Sequence, residues 1–275
     1  MSKVRSAFNK AANNYNDYGF LQKEIALRLD AKLDVITTNS AVVLDLGAGT
    51  GLLSQHLQKR FPESQLICLD FAQNSLKNNH STHKVCADAN QLPLADNSVD
   101  IVISSLMLQW CPDLSQIFSE IHRVLKNNGL ILFSTFGPDT LKELKKSWSA
   151  VDNAAHVNTF TDMHDIGDQM LQNGFQSPVM EMQTLTLTYQ SVIDLLKDLK
   201  AIGAQSVKTR SKSLTGKDKF QLMIKMYESY RTDGKLPATY EVIYGHAWNQ
   251  SNTLLKGEKQ NQLGKIELNN NLSGA

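Results

Sequence analysis

The chain has 275 residues, 41% of them hydrophobic and 20% charged, as in a globular protein and unlike a collagen, a disordered chain or a small disulfide scaffold. Twenty-eight basic against 27 acidic residues leave a formal charge of +1, so no overall basic field exists to hold nucleic acid or an anionic membrane, and an acidic partner must be met locally. Cys68, Cys86 and Cys111 lack CxxC spacing, which points to packing rather than to zinc or redox chemistry. Residues 1–20 carry no signal-peptide run and no 18 apolar residues follow one another, so the expected setting is cytoplasmic.

Apolar residues recur at Leu21, Ile25, Leu29 and Leu33, a helical stripe ahead of the first strand signal, and residues 1–40 are expected to form an N-terminal helical cap. The β-branched run Ala41-Val-Val-Leu-Asp-Leu46 ends in Gly47-Ala-Gly-Thr-Gly51, after which Leu52, Leu53, His56, Leu57 and Phe61 return at helical spacing. That sequence reads as strand, glycine turn and helix. Further buried strands are predicted at 65–70, 83–87, 100–104 and 130–136, with a helix at 114–125 between the last two, an alternation that implies a parallel sheet covered on both faces.

Beyond a helix at 165–173, Gly174 reads as its C-cap and residues 179–188 alternate as a strand. Amphipathic helices at 191–202 and 219–230 then precede a strand at 240–246, so a helical insertion separates the last two strands. The expected fold is an α/β, Rossmann-like, doubly wound and mostly parallel sheet of seven strands. Its parts are the cap (1–40), a ligand-binding core (41–189), a basic helical lid (190–235), the last core strand (236–248) and a tail (249–275). The lid holds ten Lys or Arg and five Asp or Glu, a local charge of +5, so the charge is segregated. With nine Asn or Gln in 27 residues and no aromatic, the tail is expected to be mobile.

Gly47 and Gly49 let the backbone turn sharply at the carboxyl end of the first strand and approach a ligand closely. Asp70 ends the second strand 21 residues past Gly49, where a doubly wound fold places the carboxylate that accepts ribose hydroxyls. The loop is GAGTG with Leu52 after it, not GxGxxG, and no Lys-Ser/Thr pair follows. Asp45, two residues before the loop, repels a pyrophosphate and suits a cationic ammonium.

These motifs together resemble the class I S-adenosylmethionine methyltransferases, whose later motifs are matched by Leu92-Pro-Leu, Ser98-Val-Asp-Ile-Val102 and Arg123-Val-Leu-Lys-Asn-Asn-Gly129. The resemblance implies S-adenosylmethionine as cofactor, held by Asp45, Gly47, Ala48, Gly49, Gly51, Asp70, Phe71, Asp88, Ala89, Ser105 and Leu106. Within that group the chain is most similar to the malonyl-acyl-carrier-protein O-methyltransferases of biotin synthesis. The stretches that carry this are Phe8-Asn-Lys-Ala-Ala with Tyr15, Leu108-Gln-Trp-Cys111, the run from Leu132 through Phe136-Gly-Pro-Asp-Thr-Leu to Leu144, and Asp198-Leu-Lys with Gly203-Ala204. The implied reaction methylates the free carboxylate of malonyl-acyl-carrier protein, or of malonyl-coenzyme A, by a monomeric enzyme without a metal.

A malonyl carboxylate is already ionised at neutral pH, so no general base is required. His156 and His164 are accordingly expected to be structural. Positioning falls to Tyr15, Tyr18, Gln109 and Trp110, and Phe136 is a candidate acyl-binding residue. Within the lid, Lys208, Arg210 and Lys212 suit the acidic surface of a carrier protein and the phosphate of its pantetheine arm. The rival readings are a methyltransferase of a free small molecule such as a quinone, terpenoid or fatty acid, a non-catalytic cofactor-binding module, and a dehydrogenase, against which Asp45 and Leu52 count.

Overall fold

The structure, a computed structural model, describes residues 2–36, 40–204 and 216–250. Its sheet comprises β1 (Val42–Leu46), β2 (Gln65–Asp70), β3 (His83–Cys86), β4 (Val99–Ser105), β5 (Leu125–Phe136), β6 (Gln176–Tyr189) and β7 (Leu236–Asn249). The strands lie in the order β3-β2-β1-β4-β5-β7-β6. Strands β1 to β5 pair in parallel, and β7 enters antiparallel between β5 and β6. From β1 the chain winds outward to β3, then crosses back to lay β4 on the other side of β1. A crevice opens at such a switch point, at the carboxyl ends of β1 and β4.

The helices are α1 (Ser2–Ala11), α2 (Tyr15–Tyr18), α3 (Phe20–Ala31), α4 (Ser54–Arg60), α5 (Gln73–Lys77), α6 (Leu114–Val124), α7 (Lys142–Ser149), α8 (Met163–Gln172), α9 (Val192–Ala201) and α10 (Lys217–Glu228). Successive strand residues point to opposite faces, so one face of the sheet packs Val43, Ile101, Ile103 and Leu132 with Ile25 and Leu29 of α3. The other packs Leu44, Leu46, Val102 and Phe133 with Ile117, Phe118 and Ile121 of α6. Mostly apolar runs form the central strands because both of their faces are covered. Helix starts follow side-chain chemistry: Asp113 accepts from the Gln116 N–H at 3.0 Å, and Ser191 from the Asp194 N–H at 3.2 Å.

All seven expected strands form, and β6 and β7 each extend to 14 residues. The segment before Leu21, which apolar periodicity leaves unassigned, folds into α1 and α2. Two more helices, α5 and α7, escape the periodic reading. In α7 the buried face includes Glu143 and Ser147 besides Leu144 and Trp148. Glu143 is tolerated there because its carboxylate accepts from the Thr239 N–H at 3.1 Å and from the Thr239 hydroxyl. The stretch from Phe136 to Leu144 is stitched to β7 as well, with the Gly137 N–H donating to the Glu241 carbonyl at 2.9 Å and the Leu141 N–H to the Thr239 carbonyl at 2.6 Å. Lys208, Arg210 and Lys212 lie outside the described residues, as does the tail from 251 onward. Among the described residues no helix is long and apolar enough to cross a membrane.

Candidate active site

The glycine turn leaves β1 at its carboxyl end and bends toward β2, where the Gly47 and Ala48 N–H groups both donate to the Leu69 carbonyl, at 2.8 and 3.0 Å. Gly47 has φ +79°, and a Cβ there would stand 2.5 Å from Met107, so both backbone and space demand glycine. Gly51 has φ +91° and faces Asn79, 2.9 Å from where a Cβ would lie. Asp70, at the end of β2, accepts from the Gly49 N–H at 2.9 Å and the Ala72 N–H at 2.7 Å, one on each oxygen. Each oxygen keeps lone-pair capacity for a ligand. Asp45 is buried beneath the loop, and its carboxylate accepts from the Ser54 hydroxyl at 2.5 Å.

Three cavities meet above this edge. The first, about 740 Å³, runs between the glycine loop and β4 past Asp70, Phe71, Ser75, Asp88, Ala89, Ser105 and Met107. A second, about 1480 Å³ and open to solvent, lies between the N-terminal helices, the Phe136–Leu144 stretch and α9, with Phe136, Leu144, Trp148, Phe160, Leu196, Leu199 and Phe220 in its wall. The third, about 370 Å³, sits below the loop beside Asp45. Tyr15 and Leu106 line all three, Phe8 and Trp110 the first two, and Gln22 the second and third. The Phe8 ring meets the Trp110 indole edge to face at 5.2 Å between centroids.

The charge in this crevice is one-sided. Among the described residues, Asp45, Asp70 and Asp88 line the first and third cavities, and no Lys, Arg or His does. Burial, opposed by the Ser54 hydrogen bond and aided by the nearby Asp70 charge, pushes the Asp45 carboxyl up to about 7. Asp70 is also raised by burial, against the N–H groups of Ala72, Gly49 and Phe71. Tyr15 is pushed well above the usual phenol range by burial, then by Asp70, so its hydroxyl stays a donor at neutral pH. A site with three carboxylates and no cation disfavours a pyrophosphate and fits a ligand that brings positive charge.

A family model described as a methyltransferase domain matches residues 44–133. A malonyl-[acyl-carrier protein] O-methyltransferase of Gallionella capsiferriformans is 47% identical over 259 residues, spanning 89% of this chain and 89% of that protein. The chain belongs to the malonyl-[acyl-carrier protein] O-methyltransferase family. Another member, malonyl-[acyl-carrier protein] O-methyltransferase 1 of Coxiella burnetii, is 46% identical over 255 residues, 92% of this chain and 89% of its own. The fold recurs in the YcgJ protein of Bacillus subtilis, with a TM-score of 0.58 at 14% identity over 82% of this chain and 98% of that one. It recurs again in an S-adenosylmethionine-dependent methyltransferase of Thermotoga maritima, at a TM-score of 0.55 and 15% identity over 90% and 100% of the two chains.

The structure brings most of the expected site residues of this family member together: Asp45, Gly47, Ala48, Gly49, Asp70, Phe71, Asp88, Ala89, Ser105 and Leu106 all face the first or third cavity. Gly51 faces neither, and its conformation and its contact with Asn79 give it a structural role in the turn. Tyr15 stands at the junction, but Tyr18 is 44% exposed and does not line these three cavities. Trp110 and Phe136 line the second cavity. Gln109 reaches it too, yet its amide is engaged inside the protein, donating to the Leu106 carbonyl at 2.7 Å and accepting from the Thr135 hydroxyl at 3.2 Å. It therefore holds the Leu106 turn, where φ is +53°, rather than offering a free amide. His156 stacks on Trp148 at 3.7 Å and binds Asp152 at 2.9 Å, while His164 is 80% exposed on the surface. Gln22, Thr140, Lys200 and Tyr240 also line the large cavity. The sequence signal for Gln22 is an amide beside the stripe Leu21, Ile25 and Leu29.

Proposed function

We propose that the protein transfers a methyl group from S-adenosylmethionine to the free carboxylate of a malonyl group borne by an acyl carrier protein, giving a methyl ester that enters the route to biotin. The observation that carries this reading is the meeting of a carboxylate-lined crevice, without a cation among the described residues, with a large, mostly apolar cavity at Tyr15 and Leu106, in a chain 47% identical to a malonyl-[acyl-carrier protein] O-methyltransferase. The cofactor supplies a methyl group on a positively charged sulfur. Asp70 accepts the ribose hydroxyls, Phe71 and Ala89 flank the base with Asp88, and the buried Asp45 faces the amino-acid ammonium. Residues 41–189 with 236–248 form the cofactor-binding core, 1–40 the cap and 190–235 the lid.

A malonate-type carboxyl titrates near 4, so the nucleophile arrives ionised and no residue has to remove a proton. The protein contributes position and exclusion of water, which for oriented reactants is worth on the order of 7–11 kcal/mol. Phe8, Tyr15 and Trp110 close the junction from the N-terminal side, and Phe136, Phe160 and Leu199 line the path of the acyl arm.

The test compares malonyl- and acetyl-carrier protein under saturating S-adenosylmethionine, following S-adenosylhomocysteine release. The first is methylated and the second, lacking a free carboxylate, is not; equal turnover of both refutes the reading. The carrier half is checked with Arg210→Glu, which is expected to raise the Michaelis constant for malonyl-carrier protein through slower, salt-dependent association and to leave malonyl-pantetheine nearly unaffected.

A further inference from the structure

Helix α3 buries Leu21, Ile25, Ala26 and Leu29 against the sheet, and Gln22 lies in the same buried face with 9% of its surface exposed. Its amide makes no hydrogen bond to any described residue. An amide offers two N–H donors and two acceptor sites, and enclosing it without partners costs free energy that a leucine in the same place would not. Gln22 is not sealed in the core, however: it lines both the large cavity and the small one beneath the glycine loop, beside Tyr15.

The other polar groups of the large cavity divide by position. Thr140 is bonded to the Glu241 backbone, Asn158 already has a partner, and Gln109 is bonded at both ends of its amide. His156 is tied to Asp152, and Lys200 is an exposed residue of α9, on the lid. At the junction itself Gln22 presents an unengaged amide and Tyr15 a hydroxyl, among the apolar walls of Phe8, Leu106 and Trp110. We propose that the Gln22 amide N–H donates to the carboxylate of the malonyl acceptor and, with the Tyr15 hydroxyl, aims it at the methyl group. The inference rests on the reaction proposed above and names the residue that recognises its nucleophile.

A neutral pair of donors suits this step better than a lysine or arginine. A full cation would pair with the carboxylate and hold its electrons back, whereas an amide and a phenol orient it and leave the sulfonium as its counter-charge. In the step one carboxylate oxygen forms the new O–C bond as the C–S bond breaks. The bonding pair stays on sulfur, and no proton moves. The product is a neutral ester and a neutral thioether. Hydrogen bonds to a charged acceptor are about twice as strong as those to a neutral one, so the grip of Gln22 loosens as the ester forms and release is favoured.

The experiment uses the full chain with Gln22→Leu and Gln22→Glu. It measures three quantities: the Michaelis constant for a malonyl thioester at saturating S-adenosylmethionine, the affinity for S-adenosylhomocysteine, and the thermal midpoint without ligand. Gln22→Leu is expected to raise the Michaelis constant roughly tenfold to a hundredfold. S-adenosylhomocysteine affinity stays within about twofold and the ligand-free midpoint is unchanged or higher, since an unpaired amide has been removed from an apolar face. Gln22→Glu sets a carboxylate against a carboxylate, so its activity should be lower still and should recover partly as the pH falls. An unchanged Michaelis constant in Gln22→Leu overturns the inference. A lowered midpoint with parallel loss of both affinities shows a structural residue, and loss of S-adenosylhomocysteine affinity alone assigns the amide to the cofactor; either also overturns it. If the wild-type enzyme makes no methyl ester from any malonyl thioester, the proposed function fails first and takes this inference with it.

Discussion

Replacing Asp45 by Asn separates what this carboxylate does for the ligand from what it does to the empty protein. Burial moves it from 3.8 to about 7, and that shift corresponds to about 4 kcal/mol of folded-state penalty on the ionised form. The folded pKa lies above the unfolded one, so between them the folded protein binds more protons than the unfolded chain. Stability without ligand therefore falls as pH rises from about 4 to about 7 and is flat above that window. Asn keeps an acceptor for the Ser54 hydroxyl and carries no charge. At pH 8.5 the variant should melt higher than the wild type, by an upper limit on the order of 10 °C for a chain of this size, and at pH 4 the two should coincide. Ligand binding should move the opposite way. The loss of a charged hydrogen bond to an ammonium costs about 1.5–3 kcal/mol, roughly a tenfold to hundredfold weakening of S-adenosylhomocysteine. In the wild type that affinity should also decline below pH 7, and in the variant it should not. Calorimetry and thermal melts across pH 4 to 9 measure both effects. A variant that melts lower at pH 8.5, or binds S-adenosylhomocysteine as tightly as the wild type, refutes the assignment of Asp45 as the unmet charge of the site.

Asp70→Ala should weaken S-adenosylhomocysteine by removing an acceptor for two hydroxyls, each bond worth roughly 1.5–3 kcal/mol, with a native circular dichroism spectrum; unchanged affinity removes Asp70 from the site. The turnover number at saturating cofactor should be flat from about pH 6 to 8, since the acceptor carboxyl titrates near 4. A limb near 6.5 that vanishes with the activity in His156→Ala would establish a histidine base instead. Gly51→Ala places a side chain at φ +91° and within 2.9 Å of Asn79, so it should cost about 1–3 kcal/mol of stability in denaturant titration. Unaltered stability would show that the turn relaxes freely.

The parallel half of the sheet is legible because its central strands are buried on both faces and spell mostly apolar, β-branched runs, such as Val42 to Leu46 and Val99 to Ser105. The cofactor crevice is legible for a related reason: Gly47, Gly49 and Asp70 sit at the ends of two of those strands, where spacing along the chain translates directly into spacing in space. Polar residues whose partners come from distant segments are not legible. Glu143 sits on the buried face of α7 only because Thr239, 96 residues on, supplies its donors. Gln109 looks like a free amide until Thr135 and the Leu106 carbonyl are placed against it. Tyr15 and Tyr18 are equivalent in the sequence, yet Tyr15 lines the site and Tyr18 is exposed. Gln22 interrupts nothing in the Leu21, Ile25 and Leu29 period, so only the cavities on either side of it distinguish it from a surface residue.

Carboxylate methylation on a carrier is tested most directly by intact mass spectrometry of malonyl-acyl-carrier protein after incubation with the enzyme and S-adenosylmethionine, followed by mild alkali. The account predicts a gain of one methyl group on the pantetheine-bound acyl chain, removed by alkali as an ester is, and no gain on acetyl-carrier protein. An unmodified malonyl group, or a methyl group that resists alkali or resides on the protein itself, contradicts it.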